Sequence, residues 1–118
     1  MLPSDVKCLS TTATSVSLHL FLDSELFWFK GHFPNHPLLP GVAQLHWANH
    51  YAQRYLNLTG QFSAMQAVKF QNPATEGETL ELKLQWVAEK ELLIFTYHSV
   101  KSATELQPVS SGKIRFTQ

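Results

Sequence analysis

Residues 29–42 read Phe29-Lys30-Gly31-His32-Phe33-Pro34-Asn35-His36-Pro37-Leu38-Leu39-Pro40-Gly41-Val42, and the rest of the chain is organised around them. Pro34, Pro37 and Pro40 lock one backbone angle each and remove three amide donors, so neither a helix interior nor a central strand forms here. The stretch is a rigid, shaped loop that ends in a glycine. A helix beginning at that glycine presents backbone N–H groups with no intrahelical partner and a partial positive charge, which suits a carbonyl oxygen that becomes negative during a reaction. Gly41, without a side chain, leaves room for such an oxygen. His32 carries the side chain type best suited to moving a proton near neutral pH, and the prolines after it limit its drift. From the residues alone, a purely structural histidine beside a Pro-Gly turn is the competing reading.

Working outward from the loop, the apolar period identifies the elements. Before it, Val16, Leu18, Leu20 and Leu22 alternate with Ser15, Ser17, His19 and Phe21, the period of two expected of a strand with one buried face. Phe27–Phe29 is a short aromatic extended piece. After Gly41 the period becomes helical, with Val42, Leu45, Trp47, Ala48, Ala52, Tyr55 and Leu56 recurring until Asn57 and Gly60 end the run. Beyond it the chain reads as strands over Phe62–Phe70, Thr79–Ala88, Leu92–Val100 and Ser110–Phe116, separated by Asn72-Pro73, Glu76-Gly77-Glu78, Glu89-Lys90-Glu91 and the Lys101–Pro108 stretch. Connectors this short imply an antiparallel meander. One apolar helix and a curved antiparallel sheet bury each other in an α+β arrangement.

Composition narrows the function classes. The 118 residues are 44% hydrophobic and 15% charged, which describes one globular domain over residues 1–118 with a core large enough to need no staple. Cys8 is the only cysteine, so no internal disulfide is available. Nine basic and nine acidic side chains sum to zero formal charge, which argues against electrostatic nucleic-acid binding and favours association with other proteins. No apolar run approaches the roughly twenty residues of a membrane span. The first ten residues lack a basic region followed by an apolar core, so a cytoplasmic protein is expected.

Taken whole, Gly-His-Phe-Pro-x-x-Pro-x-x-Pro-Gly-Val at 31–42 resembles the signature of the 3-hydroxyacyl-acyl-carrier-protein dehydratases, which are hot dog fold proteins. The aromatic lead-in at Leu26–Phe29, the long helix, the strand ending Val68-Lys69-Phe70, the Pro73 to Gly77 turn and a last strand ending Ile114-Arg115-Phe116 follow in that family's order. Pro40-Gly41-Val42-Ala43-Gln44-Leu45, followed by His46 and Trp47-Ala48, looks more like the dehydratase-like subgroup found with aryl polyene biosynthesis clusters. The resemblance implies His32 as the catalytic histidine that abstracts the C2 proton of a 3-hydroxyacyl thioester. It implies the Gly41 amide as the donor to the thioester carbonyl. Phe33 and Val42 would line the acyl tunnel, with Phe29, Pro40, Gln44 and Trp47 as further substrate-binding positions. The implied partners are an acyl carrier protein and a second copy of the chain, with active sites built from both subunits; no cofactor is implied.

One departure stands out. The family's second catalytic group is a helix carboxylate five residues after the glycine, donated by the partner subunit, and here that position is His46. From Leu26 to Thr75 there is no aspartate or glutamate. Either an imidazolium at His46 donates a proton to the leaving hydroxyl as a carboxylic acid would, or His32 works alone, with His46 or Gln44 positioning water or substrate. Both remain open.

The other candidates are weaker. His46 and His50 lie one helical turn apart, as two ligands of one metal do, but Trp47 stands where a zinc hydrolase of that pattern needs glutamate, so no metal is expected. His36, His19 and His98 read as surface or strand residues. No Gly-x-Ser-x-Gly turn is present, and Cys8 precedes the first recognisable strand, so covalent acyl-enzyme chemistry is not expected. Lys30, Arg54, Lys69, Lys113 and Arg115 could meet an acidic carrier protein. Two alternatives to a lyase stand: a hot dog thioesterase acting on the same substrates, and a non-catalytic acyl-binding partner of another dehydratase subunit.

Overall fold

The computed structural model describes residues 2–24, 26 and 38–117. Among them run six strands and one α-helix: β1 Val6–Thr11, β2 Ser15–Phe21, α1 Gly41–Leu56, β3 Gln61–Phe70, β4 Thr79–Val87, β5 Leu92–Val100 and β6 Leu106–Thr117. The strands form a single antiparallel sheet in the order β1-β2-β4-β5-β6-β3. The α+β hot dog arrangement expected from the sequence is therefore the one observed.

The helix forms where the period predicts it. Ala43, Gln44, Trp47, Ala48, Tyr51, Ala52 and Leu56 are buried along one stripe, and the small Ala43, Ala48 and Ala52 let the helix backbone sit close to the sheet. Asn57 stops it in the left-handed conformation at φ 54°, which asparagine tolerates better than most residues. The stripe lies on rows of cross-strand neighbours, Leu18 beside Leu82 beside Tyr97 beside Ser110, and Val16 beside Leu84 beside Phe95 beside Gly112. Leu18, Leu82, Leu84, Phe95 and Tyr97 are at most 2% exposed, and each leucine so buried contributes roughly 2 kcal/mol of transfer free energy.

Three sequence expectations change. The β1 strand was not expected: its residues are exposed or half-buried throughout, so no buried face marks it, and only pairing with β2 reveals it. The final strand begins at Leu106, four residues before the expected Ser110, and so includes Pro108. Before Ser110 the strand is paired with another strand on one side only, with β5, because β3 ends opposite Ser110, and a one-sided stretch tolerates a missing donor.

The simple meander also fails between β3 and β4. Strand β3 pairs with β6 and lies at the sheet edge, while β4 sits three positions away. Three strand spacings amount to about 14 Å, and an eight-residue connector over 71–78 reaches farther than that. This connector crosses the ends of β6 and β5. Gln71 and Asn72 donate their amides to the Val109 carbonyl, and Asn72 Nδ2 donates to the Pro108 carbonyl at 2.7 Å. It thereby passes in front of the helix N-terminus, and the cleft described next is built there.

Candidate active site

Helix α1 starts against the 71–78 connector. The Leu39 amide donates to the Ala74 carbonyl at 2.8 Å, and Leu38 pairs with Thr75 in an isolated antiparallel bridge. Pro40 is the N-cap in an extended conformation, and its carbonyl accepts the amides of Ala43 and Gln44 at 3.1 and 3.3 Å. The amides of Gly41 and Val42 precede that first bond and have no acceptor among the described residues. The first turn carries no acidic residue, so none of its own side chains offsets the positive end of the helix dipole.

A cleft of about 400 Å³ opens on this helix start, lined by Leu38, Leu39, Pro40, Gly41 and Gln44 on one side and Phe70, Gln71, Asn72 and Pro73 on the other. Its walls are chiefly apolar, and Gln44, Gln71 and Asn72 are its polar residues. At Gly41 the two walls approach closely: a Cβ there would lie 2.6 Å from Phe70 Cζ and 2.8 Å from Cε1, so any side chain would have to displace the Phe70 ring. The ring thus lies across the glycine that starts the helix.

Gln44 is 3% exposed and fastens the first helical turn to the sheet. Its Nε2 donates to the Leu39 carbonyl at 3.3 Å, and its Oε1 accepts from Ser110 Oγ at 2.6 Å. The Tyr97 hydroxyl donates to the Gln44 carbonyl at 2.7 Å. Tyr97 is fully buried, and burial holds its phenol far above the ordinary range, so it stays a donor. One Nε2 hydrogen of Gln44 remains uncommitted among the described residues.

The expected site residues divide three ways. Pro40, Gly41 and Gln44 come together at the cleft. Trp47 does not: it is 0% exposed beneath the helix, and it is core in this chain. Val42, 64% exposed, lies with His46 one turn later on the helix face turned away from the sheet. His32, Phe29 and Phe33, with Lys30, His36 and the aromatic lead-in at Phe27–Phe29, lie outside the described residues. The cleft wall at Phe70–Pro73 was not singled out as a site from sequence; its marks there were the strand ending at Phe70 and the turn at Asn72-Pro73.

His50 follows His46 by one turn. Its Nε2 is buried without a hydrogen-bond partner among the described residues. Burial, the neighbouring His46 and Arg54 together lower its pKa from 6.5. No third histidine, cysteine or carboxylate joins this pair to make a metal-binding group among the described residues. Of the cations considered for a carrier protein, Lys69, Lys113 and Arg115 share the outer face of β3 and β6, Lys69 opposite Ser111 and Lys113 two residues from it. Arg54 sits in the last turn of α1, about 20 Å along the helix from Gly41. No helix of the described residues is long and apolar enough to cross a membrane.

Residues 8–113 match the family model described as ApeI-like, ApeI dehydratase. Among curated proteins, the 3-hydroxyacyl-acyl-carrier-protein dehydratase FabZ of Ruminiclostridium cellulolyticum is 31% identical over 96 residues, covering 75% of this chain and 66% of that protein. The chain therefore spans just under two thirds of that relative's length. The dehydratase heterocomplex ApeI:P from Xenorhabdus doucetiae contains a chain that superposes with a TM-score of 0.89 at 42% identity, over 100% of both chains. An uncharacterized protein from Erwinia carotovora subsp. atroseptica superposes with a TM-score of 0.83, also at 42% identity, over 98% of this chain and 94% of that one.

Proposed function

The chain belongs to the ApeI-like dehydratase family, and on that premise we propose that it removes water from a 3-hydroxyacyl thioester carried by an acyl carrier protein, giving the trans-2-enoyl thioester. The observation that carries this reading is the pair of amides at Gly41 and Val42, without acceptors among the described residues, heading an apolar cleft with no acidic residue in the first helical turn. Removing a C2 proton pushes charge onto the thioester oxygen, and donors already aimed at that oxygen stabilise the enolate without reorganising. His32 takes the C2 proton. The C3–O bond then breaks, and the departing hydroxyl collects a proton and leaves as water.

His46 is the donor of that proton in this reading. It is exposed on the helix surface that its own sheet leaves uncovered, where a residue has to be if it is to enter the site of a second subunit. The acyl chain lies along the Leu38–Pro40 and Phe70–Pro73 walls, and the outer-face cations Lys69, Lys113 and Arg115 suit an acidic carrier protein.

A second hot dog chain completes the site. Phe62, Met65 and Phe70 lie on the helix side of edge strand β3, where their cross-strand partners are Phe116, Ile114 and Ser110. They are 44%, 50% and 56% exposed, so an apolar edge stands uncovered in the single chain. A second copy of this chain is the proposed occupant. A different hot dog subunit is the alternative favoured by the heterocomplex of the Xenorhabdus relative.

The test is to incubate the purified protein with a 3-hydroxyacyl carrier protein and follow enoyl product and free acid by mass spectrometry, beside His32→Ala and His46→Ala. Enoyl formation lost with both changes supports the acid/base pair, whereas loss with His32→Ala alone assigns both proton transfers to His32. Free acid in place of enoyl product would make the chain a thioesterase. No product from folded protein would make it a non-catalytic partner.

A further inference from the structure

We infer that Glu78 is a positioning residue for the helix N-terminus, acting through Thr75 and the backbone of Leu38 and Leu39. The inference deepens the dehydratase reading and, for its kinetic part, rests on it. Glu78 is the last residue of the connector that crosses β6 and β5, directly before β4. Its Oε1 accepts both the Thr75 amide at 2.8 Å and the Thr75 hydroxyl at 2.5 Å, closing the four-residue turn Thr75–Glu78. Its Oε2 accepts from Ser99 Oγ at the end of β5 and from Lys101 Nζ at 3.4 Å. One carboxylate thus ties the connector to the central sheet with four donors.

What it holds in place is the support of the site. Thr75 bridges to Leu38, and the Ala74 carbonyl accepts the Leu39 amide. Leu39 and Pro40 lead directly into Gly41, so the direction of the Gly41 amide follows from where Ala74 and Thr75 sit. The opposite wall of the cleft has a separate tether, through Gln71 and Asn72 to β6. Glu78 therefore controls one wall, the one that bears the amide donors. A carboxylate fits this task better than a carboxamide, since all four neighbouring groups donate and only a carboxylate accepts from all of them.

The experiment compares Glu78→Gln, Thr75→Val and Thr75→Ser with the wild type, each shown to be folded, in two measurements. The first is steady-state enoyl formation. Misaligned amides lose a contact that matters in the transition state, so kcat is expected to fall about tenfold in Glu78→Gln with little change in KM. Thr75→Val should fall less, and Thr75→Ser, which keeps the hydroxyl, should match the wild type. The second is hydrogen exchange of the Leu39 amide against that of Leu82 in the central sheet. Local release of the wall speeds Leu39 alone, whereas general destabilisation speeds both.

Unchanged kcat and unchanged Leu39 exchange in both Glu78→Gln and Thr75→Val would overturn the inference, as would equal acceleration of Leu39 and Leu82 with kcat of the folded protein intact. Should the wild type yield no enoyl product, the dehydratase reading fails and exchange alone decides. Selective acceleration at Leu39 then supports the positioning role, and its absence rejects it.

Discussion

At the scale of single residues, Gly41 is where the proposed oxyanion site meets the cleft wall. Its amide has no acceptor among the described residues, and Phe70 occupies the space a side chain would need. Gly41→Ala should fold, because alanine favours a helix over glycine by about 1 kcal/mol and the half-exposed Phe70 ring has room to swing. The displaced ring would then crowd the cleft. Enoyl formation is expected to drop about tenfold, less than the roughly 10²- to 10³-fold lost when an oxyanion donor is removed outright, while the thermal midpoint stays close to wild type. If the ring is the cause, adding Phe70→Ala to Gly41→Ala recovers part of the lost rate, and no recovery would place the defect in the backbone. The positions of Gly41 and Gln44 at the cleft were legible because each sits at a set distance from a Pro-Gly helix start. The burial of Trp47 was not, because helical spacing fixes the face a residue shares, not whether a sheet covers that face.

At the scale of elements, legibility follows burial. Strands β2, β4 and β5 and helix α1 each bury one face against another element, and their periods appear in the sequence with boundaries correct to a residue or two. Strand β1 buries no full face and left no period to read. Order within the sheet was less legible still. Nothing local in the residues after Phe70 says that the chain crosses two strands before pairing again, since that choice depends on the whole sheet closing over the helix. Strand β3 shows the same dependence: its apolar Phe62, Met65 and Phe70 lie on the helix side of the sheet yet stand uncovered in one chain. Met65→Lys puts a charge in the middle of that edge. Light scattering is expected to show a dimer for the wild type and a monomer at the same concentration for the variant. A dimer that survives the change would move the interface elsewhere.

At the scale of the whole molecule, the zero net charge hides two groups that make stability sensitive to acid. His50 has its pKa lowered by burial, His46 and Arg54. The unfolded chain therefore takes up a proton as pH falls below 6.5 and the folded chain resists it, so stability declines across that range. Glu78 behaves as a depressed carboxylate: burial pulls its pKa up, but bonds from Ser99 and Thr75 and the charge of Lys101 outweigh burial and hold it below 4.5. Its contribution is complete above 4.5 and is lost as pH falls through the lower folded value. Urea unfolding against pH is expected to show two successive declines. His50→Gln should remove the upper one and Glu78→Gln the lower, and a curve that stays flat from pH 7 to 5 would contradict the assignment of His50.

The central claim is that a histidine and the helix-start amides move a proton at C2 of an acyl thioester. It is tested most directly by running the reaction backwards in D2O, with a trans-2-enoyl carrier protein and mass spectrometry of the product. The account predicts 3-hydroxyacyl carrier protein with one deuterium at C2, formed by the wild type and not by His32→Ala. Release of free acid, or label at C2 that persists undiminished in His32→Ala, would contradict it.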